Sequence, residues 1–427
     1  MDDRCFWCFE TKFLNRERVM RFHKIVLSVV LIFCIIINAA PMAWAGPQVT
    51  GKSGILIDGK SGQVLYTKDA DEPLPPASTT KILTAVIALE RTKLTDKVTA
   101  GKNPSLVEPS AIGFMEGETL TMENLLYSLL VKSANDAAVA IAEHISGSVP
   151  EFARLMNETA GELGATNSNF TNPHGLPDPN HYSTAHDLAV IARYAMKNPV
   201  FREIVATKVK TIPRENDSDI QWLETHNKLL KRYELANGIK TGYTKEARQC
   251  LVASASDGQR EFIAVVLGSE GNNIWTDATV LLDYGFDNYA TIKHKNANTL
   301  IKTVSVNKGT GNAVLVTAED FYYTIPKGET RAITEEVELD DNISAPVKKG
   351  QVLGRVKFLE SGKMIGSANL IAQNNIPAEE AIVRDGASFN PILAGGIILG
   401  LFTVWNIRRR RHKVRRKNKW RYKNAIR

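Results

Sequence analysis

Two prolines, then a serine and a lysine three residues apart, then an apolar octad: Pro75 to Leu89 constrains this chain more than any other stretch. Prolines do not sit inside a helix, so the helix begins at or just after Pro75-Pro76. Ile82 to Leu89 reads Ile-Leu-Thr-Ala-Val-Ile-Ala-Leu, apolar on nearly every side, which predicts a buried helix. Positions i and i+3 share a helix face. Ser78 and Lys81 therefore point the same way from the first turn of a rigid element. A lysine beside a buried helix is partly desolvated, which lowers its pKa and lets it act as a base. A serine hydroxyl needs such a base to become a nucleophile.

A Ser-x-x-Lys spacing alone is weak, and it recurs at Ser305 to Lys308 in a polar region. Its weight comes from two further motifs downstream of it. Ser133-Ala134-Asn135 interrupts an apolar pattern between two predicted helices, and Lys240-Thr241-Gly242 lies in a predicted strand. Ser-x-Asn also recurs, at Ser388 to Asn390 beside a long apolar run, so the ordered trio in its setting is the signal, not any member of it.

The coarse pattern is strands at both ends with helices between them. Ile55 to Asp58 and Gln63 to Tyr66 flank a Gly-Lys-Ser-Gly turn. Thr121 is placed to cap a helix through Leu125, Leu126, Leu129 and Leu130. Ala137 to Ile145 is a second helix that stops at Gly147. Phe152 to Leu163 and Asp187 to Met196 are helical, with the loop Thr171 to Pro177 between them. Strands come next at Lys208 to Ile212, Gly238 to Thr244, Cys250 to Ala255 and Phe262 to Leu267, then a helix at Ile274 to Tyr284. This predicts an α+β domain over residues 46–288 whose first and last strands share one antiparallel sheet. Residues 289–376 change character: short alternating segments broken by Gly, Asn, Asp and Pro predict a small β-sandwich or barrel-like domain.

The ends of the chain read differently. Met20 to Lys24 is basic, Ile25 to Ala40 is apolar, and Ala43-Trp44-Ala45 has the small-x-small form of a secretory cleavage site. Residues 1–45 are thus an extension plus signal, with Met20 the expected start and cleavage after Ala45. After a linker at 377–388, Phe389 to Ile407 holds no charged side chain over 19 residues, long enough to cross a bilayer. The tail at 408–427 carries 12 Lys or Arg and no acid, so the positive-inside rule places it in the cytoplasm and the main domains outside. The net charge is +7; with +12 on this tail and +2 on residues 1–25, residues 26–407 carry −7. The basic balance belongs to the tail, so no nucleic-acid partner is expected. Cys5, Cys8 and Cys34 fall before the cleavage site, which leaves Cys250 alone in an apolar run as a buried strand residue.

With their flanks, the motifs read Pro76-Ala77-Ser78-Thr79-Thr80-Lys81, Lys132-Ser133-Ala134-Asn135-Asp136-Ala137 and Gly238-Ile239-Lys240-Thr241-Gly242-Tyr243-Thr244. The chain so resembles the D-alanyl-D-alanine carboxypeptidases, the low-molecular-weight penicillin-binding proteins of the S11 serine peptidase family, closely over residues 50–287. The resemblance implies a penicillin-binding-protein/β-lactamase-like transpeptidase fold and removal of the terminal D-alanine from peptidoglycan stem peptides, with β-lactams as inhibitors and no cofactor or metal. It implies Ser78 as the acylated nucleophile, Lys81 as general base, Ser133 as proton relay and Asn135 as a holder of the substrate amide. Lys240 and Thr241 would bind the terminal carboxylate, Gly242 would admit the substrate backbone, and the backbone N–H groups of Ser78 and Tyr243 would form the oxyanion hole. Arg248 departs from the small residue of the family pattern; its guanidinium either reaches the substrate carboxylate or faces solvent.

Other readings stand beside this one. A β-lactamase needs a deacylating glutamate between the second and third motifs, where Glu215 and Glu224 lie. A penicillin sensor needs a signalling domain, and the 20-residue tail holds none; an inactive wall-binding scaffold has no need of an intact trio. A triad of His174 and Asp178 with a serine lacks the Gly-x-Ser-x-Gly elbow, and His174 reads as a loop hydrogen-bonder. His181 and His186 do not have trustworthy metal-ligand spacing.

Overall fold

The structure is a computed structural model that describes residues 46–214, 222–379, 400–411 and 413. It divides into two units, one of residues 1–297, 319–336 and 357–367, the other of 298–318, 337–356 and 368–427.

The first unit is built on a five-stranded antiparallel sheet. β1 (Ser53–Asp58) and β2 (Val64–Lys68) form the hairpin around the Gly-rich turn. The short strands β3 (Lys97–Thr99) and β4 (Thr119–Thr121) pair with each other, as do β5 (Val209–Thr211) and β6 (Trp222–Glu224), while β7 (Ala236–Thr244), β8 (Arg248–Ser256) and β9 (Glu261–Ser269) complete the main sheet in the order β2-β1-β9-β8-β7. β1 pairs with β9 from Ser53↔Leu267 to Asp58↔Phe262, so the first and last strands do share one sheet. Alternation along β1 sends Ile55 and Ile57 to one face and Leu56 to the other. The Leu56 face is covered by the helix Asn273–Asn288, through Leu281 and its neighbours. The Ile55 face is covered by the helical layer. β7 is an edge strand, so one side of its backbone is open to an added strand.

Helix α1 (Lys81–Arg91) lies at the centre of that layer, with Lys81 to Ala88 all buried. The expected start after the prolines is a 3-10 turn, Ala77–Thr80, and the α-helix proper begins at Lys81. In a 3-10 turn side chains at i and i+3 eclipse, which aligns Ser78 with Lys81 more directly than an α-helical turn would. Around α1 pack α2 (Met122–Tyr127), α3 (Asn135–Ser146), α4 (Val149–Glu162), α5 (Ala185–Ala195) and α6 (Pro199–Ala206). Thr121 Oγ1 accepts the Asn124 N–H at 3.3 Å, the expected cap of α2. Gly147 ends α3 with φ +77°. α6 and the two-stranded ribbon Val209–Thr211 with Trp222–Glu224 go beyond the sequence pattern, which predicts only the strand Lys208 to Ile212 there.

The β-rich region contains Tyr289–Lys295 paired with Phe321–Pro326 in the first unit. Its larger sheet has five strands in the order Leu300–Ser305, Asn312–Thr317, Lys363–Ala372, Val352–Glu360, Ile333–Leu339. Among the described residues no helix is long and apolar enough to cross a membrane. Of the expected span 389–407, residues 389–399 lie outside the described set, and 400–411 are helical. The expected signal at 1–45 also lies outside it.

One loop of the first unit bears directly on the site. Residues 109–118 are held from within by Asp136, at the start of α3, whose carboxylate accepts the N–H groups of Ile112 (3.0 Å) and Phe114 (2.9 Å). They are held from the other side by Arg214, which pairs with Glu118 and donates to the carbonyls of Ile112 (2.8 Å) and Gly113 (2.9 Å). Both side chains of that pair are almost fully buried, at 1% and 2% exposure. Removing one partner of a buried pair strands the other charge, at a cost of about 3–5 kcal/mol. Arg214→Met should lower the unfolding free energy measured in urea by that scale, and Arg214→Met/Glu118→Leu should recover much of it. A single variant as stable as the parent contradicts the clamp.

Candidate active site

Ser78, Lys81, Ser133, Asn135, Lys240 and Thr241 come from segments far apart in sequence and meet at the junction of α1, α3 and β7. Lys81 Nζ lies 2.9 Å from Ser78 Oγ and donates to Asn135 Oδ1 and to the His174 carbonyl, both at 2.7 Å. Asn135 is oriented by its other amide atom, Nδ2, which donates to the Glu108 carbonyl at 2.8 Å. Ser133 sits between α2 and α3 in the left-handed region, φ +64°, and this kink turns its hydroxyl toward β7. Lys240 Nζ donates to Ser133 Oγ and to the Thr241 carbonyl, both at 2.9 Å.

Gly242 sits where β7 passes the nucleophile. A Cβ built there would lie 2.8 Å from the Ser78 backbone nitrogen and 3.1 Å from the Pro76 carbonyl oxygen. The strand therefore needs glycine to lie against the Ser78 turn, which adds a second reason to the expected one of admitting a substrate backbone. Tyr243, the next residue, turns its side chain outward, 62% exposed. A cleft of about 430 Å³ opens over these groups, lined among others by Ser78, Ser133, Asn135, Thr241, Tyr243 and Trp275. All the residues expected at the site thus come together.

Comparisons with known proteins identify the family. The family model for D-alanyl-D-alanine carboxypeptidase, peptidase family S11, matches residues 40–271. This chain belongs to the D-alanyl-D-alanine carboxypeptidase family. The model for the C-terminal domain of penicillin-binding protein 5 matches residues 289–378. Among the carboxypeptidases, DacF of Bacillus subtilis (strain 168) is 36% identical over 369 residues, 83% of this chain and 95% of the relative. DacA of Haemophilus influenzae is 36% identical over 77% of this chain and 86% of its own length. The crystal structure of penicillin-binding protein 5 from Haemophilus influenzae matches with a TM-score of 0.63 at 34% identity, over 78% of this chain and 99% of that one.

Electrostatics within this family member's cleft are set by burial. Lys81 is 0% exposed and Lys240 is 2% exposed. Burial pushes the Lys81 pKa well below its ordinary value, the positive charge of Lys240 pushes the same way, and the Asp136 carboxylate opposes both. Burial brings Lys240 down to about 7. The contacts of Lys81 fit a neutral amine. Asn135 Oδ1 and the His174 carbonyl are acceptors only, so they take its two N–H groups and leave the lone pair for the Ser78 hydroxyl.

Several members of the site carry no readable sequence motif. The His174 carbonyl holds Lys81, while its Nδ1 accepts the Leu176 N–H at 3.2 Å. Asp178 Oδ1 accepts the Asn180 N–H at 2.8 Å, so a His174–Asp178 triad is not formed. Burial and the Lys81 charge bring His174 down to about 3, which keeps it neutral. Gly175, at φ +84°, comes so close to the Ala77 carbonyl that a Cβ would overlap its oxygen. A glycine between His174 and Leu176 in a Pro-flanked loop is the signal that marks it. Thr80 bonds His181 Nε2 at 2.9 Å, and the Thr171 N–H donates to Nδ1 at 3.1 Å, which ties the loop to the Ser78 turn and uses both ring nitrogens. Arg248 faces solvent beside Glu270, with which it pairs. Cys250 is buried, as expected.

These states fix the sign of the pH dependence. Lys81 works neutral, so kcat/KM rises as pH climbs through its lowered pKa. Lys240 works as a cation toward a carboxylate, so kcat/KM falls as pH rises through about 7 in the free enzyme. Lys240→Arg keeps the charge and should shift only the falling limb upward. A falling limb that stays in place in this variant contradicts the assignment.

Proposed function

We propose that this carboxypeptidase cleaves the terminal D-alanine from peptidoglycan stem peptides through an acyl-enzyme on Ser78. The observation that carries this reading is the pair of hydrogen-bonded sets at one cleft, in which Lys81 meets Ser78 and Asn135 while Lys240 meets Ser133. The penultimate D-alanine carbonyl sits over Ser78 Oγ. Lys81 Nζ takes the hydroxyl proton as Oγ attacks, and the oxyanion is held by the backbone N–H groups of Ser78 and Tyr243. The tetrahedral intermediate collapses, the C–N bond breaks, and the proton passes by Ser133 to the departing amine. Water then attacks the ester with Lys81 again as base. Lys240 and Thr241 pair the free carboxylate that marks a chain end, which makes the enzyme an exopeptidase. A β-lactam, with its carboxylate and strained amide, enters by the same route.

The β-lactamase reading has less support. Glu224 is exposed and pairs with Lys231 at 2.6 Å, and Glu215 lies outside the described residues. The central test is release of D-alanine from a D-Ala-D-Ala-terminated pentapeptide, together with labelling by a tagged penicillin. Ser78→Ala should abolish both while the protein unfolds at its usual temperature. Label that persists on the variant contradicts the assignment.

We also propose a secreted main chain anchored by residues 389–407, with the basic tail in the cytoplasm. The support is the uncharged 19-residue run, the 12 basic residues after it and the basic-apolar-small order of residues 20–45. An enzyme truncated after Ala387 should appear in the medium fully active. Carbonate should not strip the full chain from membranes, and its release by carbonate counts against a spanning anchor.

A further inference from the structure

The start of α3 is laced to residues 108–114 by a regular set of hydrogen bonds. The Asn135 backbone N–H donates to the Ser110 carbonyl at 2.7 Å, and Asn135 Nδ2 donates to the Glu108 carbonyl at 2.8 Å. Asp136 continues the series. Its Oδ2 accepts the N–H groups of Ile112 at 3.0 Å and Phe114 at 2.9 Å, and its Oδ1 accepts the Ala137 N–H at 2.9 Å. Alternate residues 108, 110, 112 and 114 thus face α3, two through carbonyls and two through N–H groups. Pro109 and Ser110, on the same segment, line the catalytic cleft. Asp136 is 1% exposed, and among the described residues no lysine, arginine or histidine pairs with it. A buried carboxylate without a paired cation is costly. It is also an acceptor at both oxygens and a donor at neither, which suits a point where N–H groups converge.

Asn135 depends on that segment for its orientation. Its amide has one accepting oxygen and one donating nitrogen, and the two are not interchangeable at this site. Oδ1 faces Lys81 Nζ at 2.7 Å while Nδ2 is committed to the Glu108 carbonyl. With that carbonyl displaced, the amide is free to turn over and point its N–H groups at Lys81. A neutral Lys81 would then offer its lone pair to the amide, and Ser78 would lose its base. We propose that Asp136 is a positioning residue: by fixing residues 112–114 it keeps the Glu108 and Ser110 carbonyls in place, and so sets how Asn135 presents its amide to Lys81 and to the substrate. Arg214 supports the same segment from its other side, at the Ile112 and Gly113 carbonyls. The role rests on the acyl-enzyme reading and adds to it a residue with no hydrogen bond to Ser78, to Lys81 or to the Asn135 side chain.

The test is the second-order rate at which a tagged penicillin acylates Ser78 in the full chain, a single-turnover readout that stays measurable in slow variants. Asp136→Ala should slow acylation by roughly 10- to 100-fold, the scale of a catalytic group held about 1 Å out of place. In an Asn135→Ala background the same change should cost less than about threefold, because the side chain it positions is gone. Arg214→Met, which frees the segment from its other side, should show the same dependence on Asn135, and it decides the question if Asp136→Ala does not fold. Urea unfolding checks that each variant is folded. A role in folding alone lowers the rate by the same factor in both backgrounds. That result, or an unslowed Asp136→Ala, overturns the proposal and leaves the carboxypeptidase reading standing. A parent chain that takes no label overturns that reading itself, and the positioning role with it.

Discussion

Two lysine side chains taken out of water are the constraint on which this catalytic unit depends. An isolated buried ammonium is costly, so each must be neutral or fully partnered. Lys81 is held by three partners supplied by the Ser78 turn, α3 and the 171–178 loop. Lys240 is held by Ser133 and by its own strand. Neither set exists unless the helical layer, the kink at Ser133 and the edge of the sheet are in register. The chemistry and the packing therefore use the same contacts.

The surrounding groups separate the roles of the two cations. Lys81 has acceptors for every N–H of a neutral amine and a hydroxyl for its lone pair, the arrangement of a base. Lys240 has two protein acceptors and lies beside the open cleft, the arrangement of a carboxylate receptor. Asp136 acts on both levels: it binds the backbone of the 109–118 loop and places a negative charge within reach of Lys81. Burial raises its carboxyl above the ordinary range, and the N–H groups of Phe114, Ala137, Ile112 and Gly113 pull it back.

The part of this architecture legible in the sequence is local. The Ser78–Lys81 pair is an i, i+3 relation, and the Thr121 cap and Gly147 stop lie within a turn of what they end. The trio's convergence is legible only through the family resemblance, since Lys81 and Asn135 are 54 residues apart and Ser133 and Lys240 are 107 apart. Asp136 stands in the sequence only as a flank of Asn135, because its partners are backbone N–H groups upstream that carry no side-chain signal. The His174 carbonyl leaves no trace for the same reason. The β-rich region is readable as strands, but its order depends on pairings such as Leu315↔Ala372, which alternation does not encode. The short helix Pro199–Ala206 holds only eight residues, too few turns for its apolar period to stand out.

The protonation state of Lys81 is the most direct test, since base, nucleophile and pH dependence all rest on it. Lysine labelled with ¹³C at Cε can be titrated by NMR, with Lys81 and Lys240 assigned from Arg substitutions. The account predicts two resonances that titrate apart from the surface lysines, Lys240 near 7 and Lys81 well below its ordinary value, with Lys240 moving upward when a carboxylate ligand binds. A Lys81 resonance that titrates with the surface lysines would contradict it, because a permanently protonated Lys81 has no lone pair to offer Ser78.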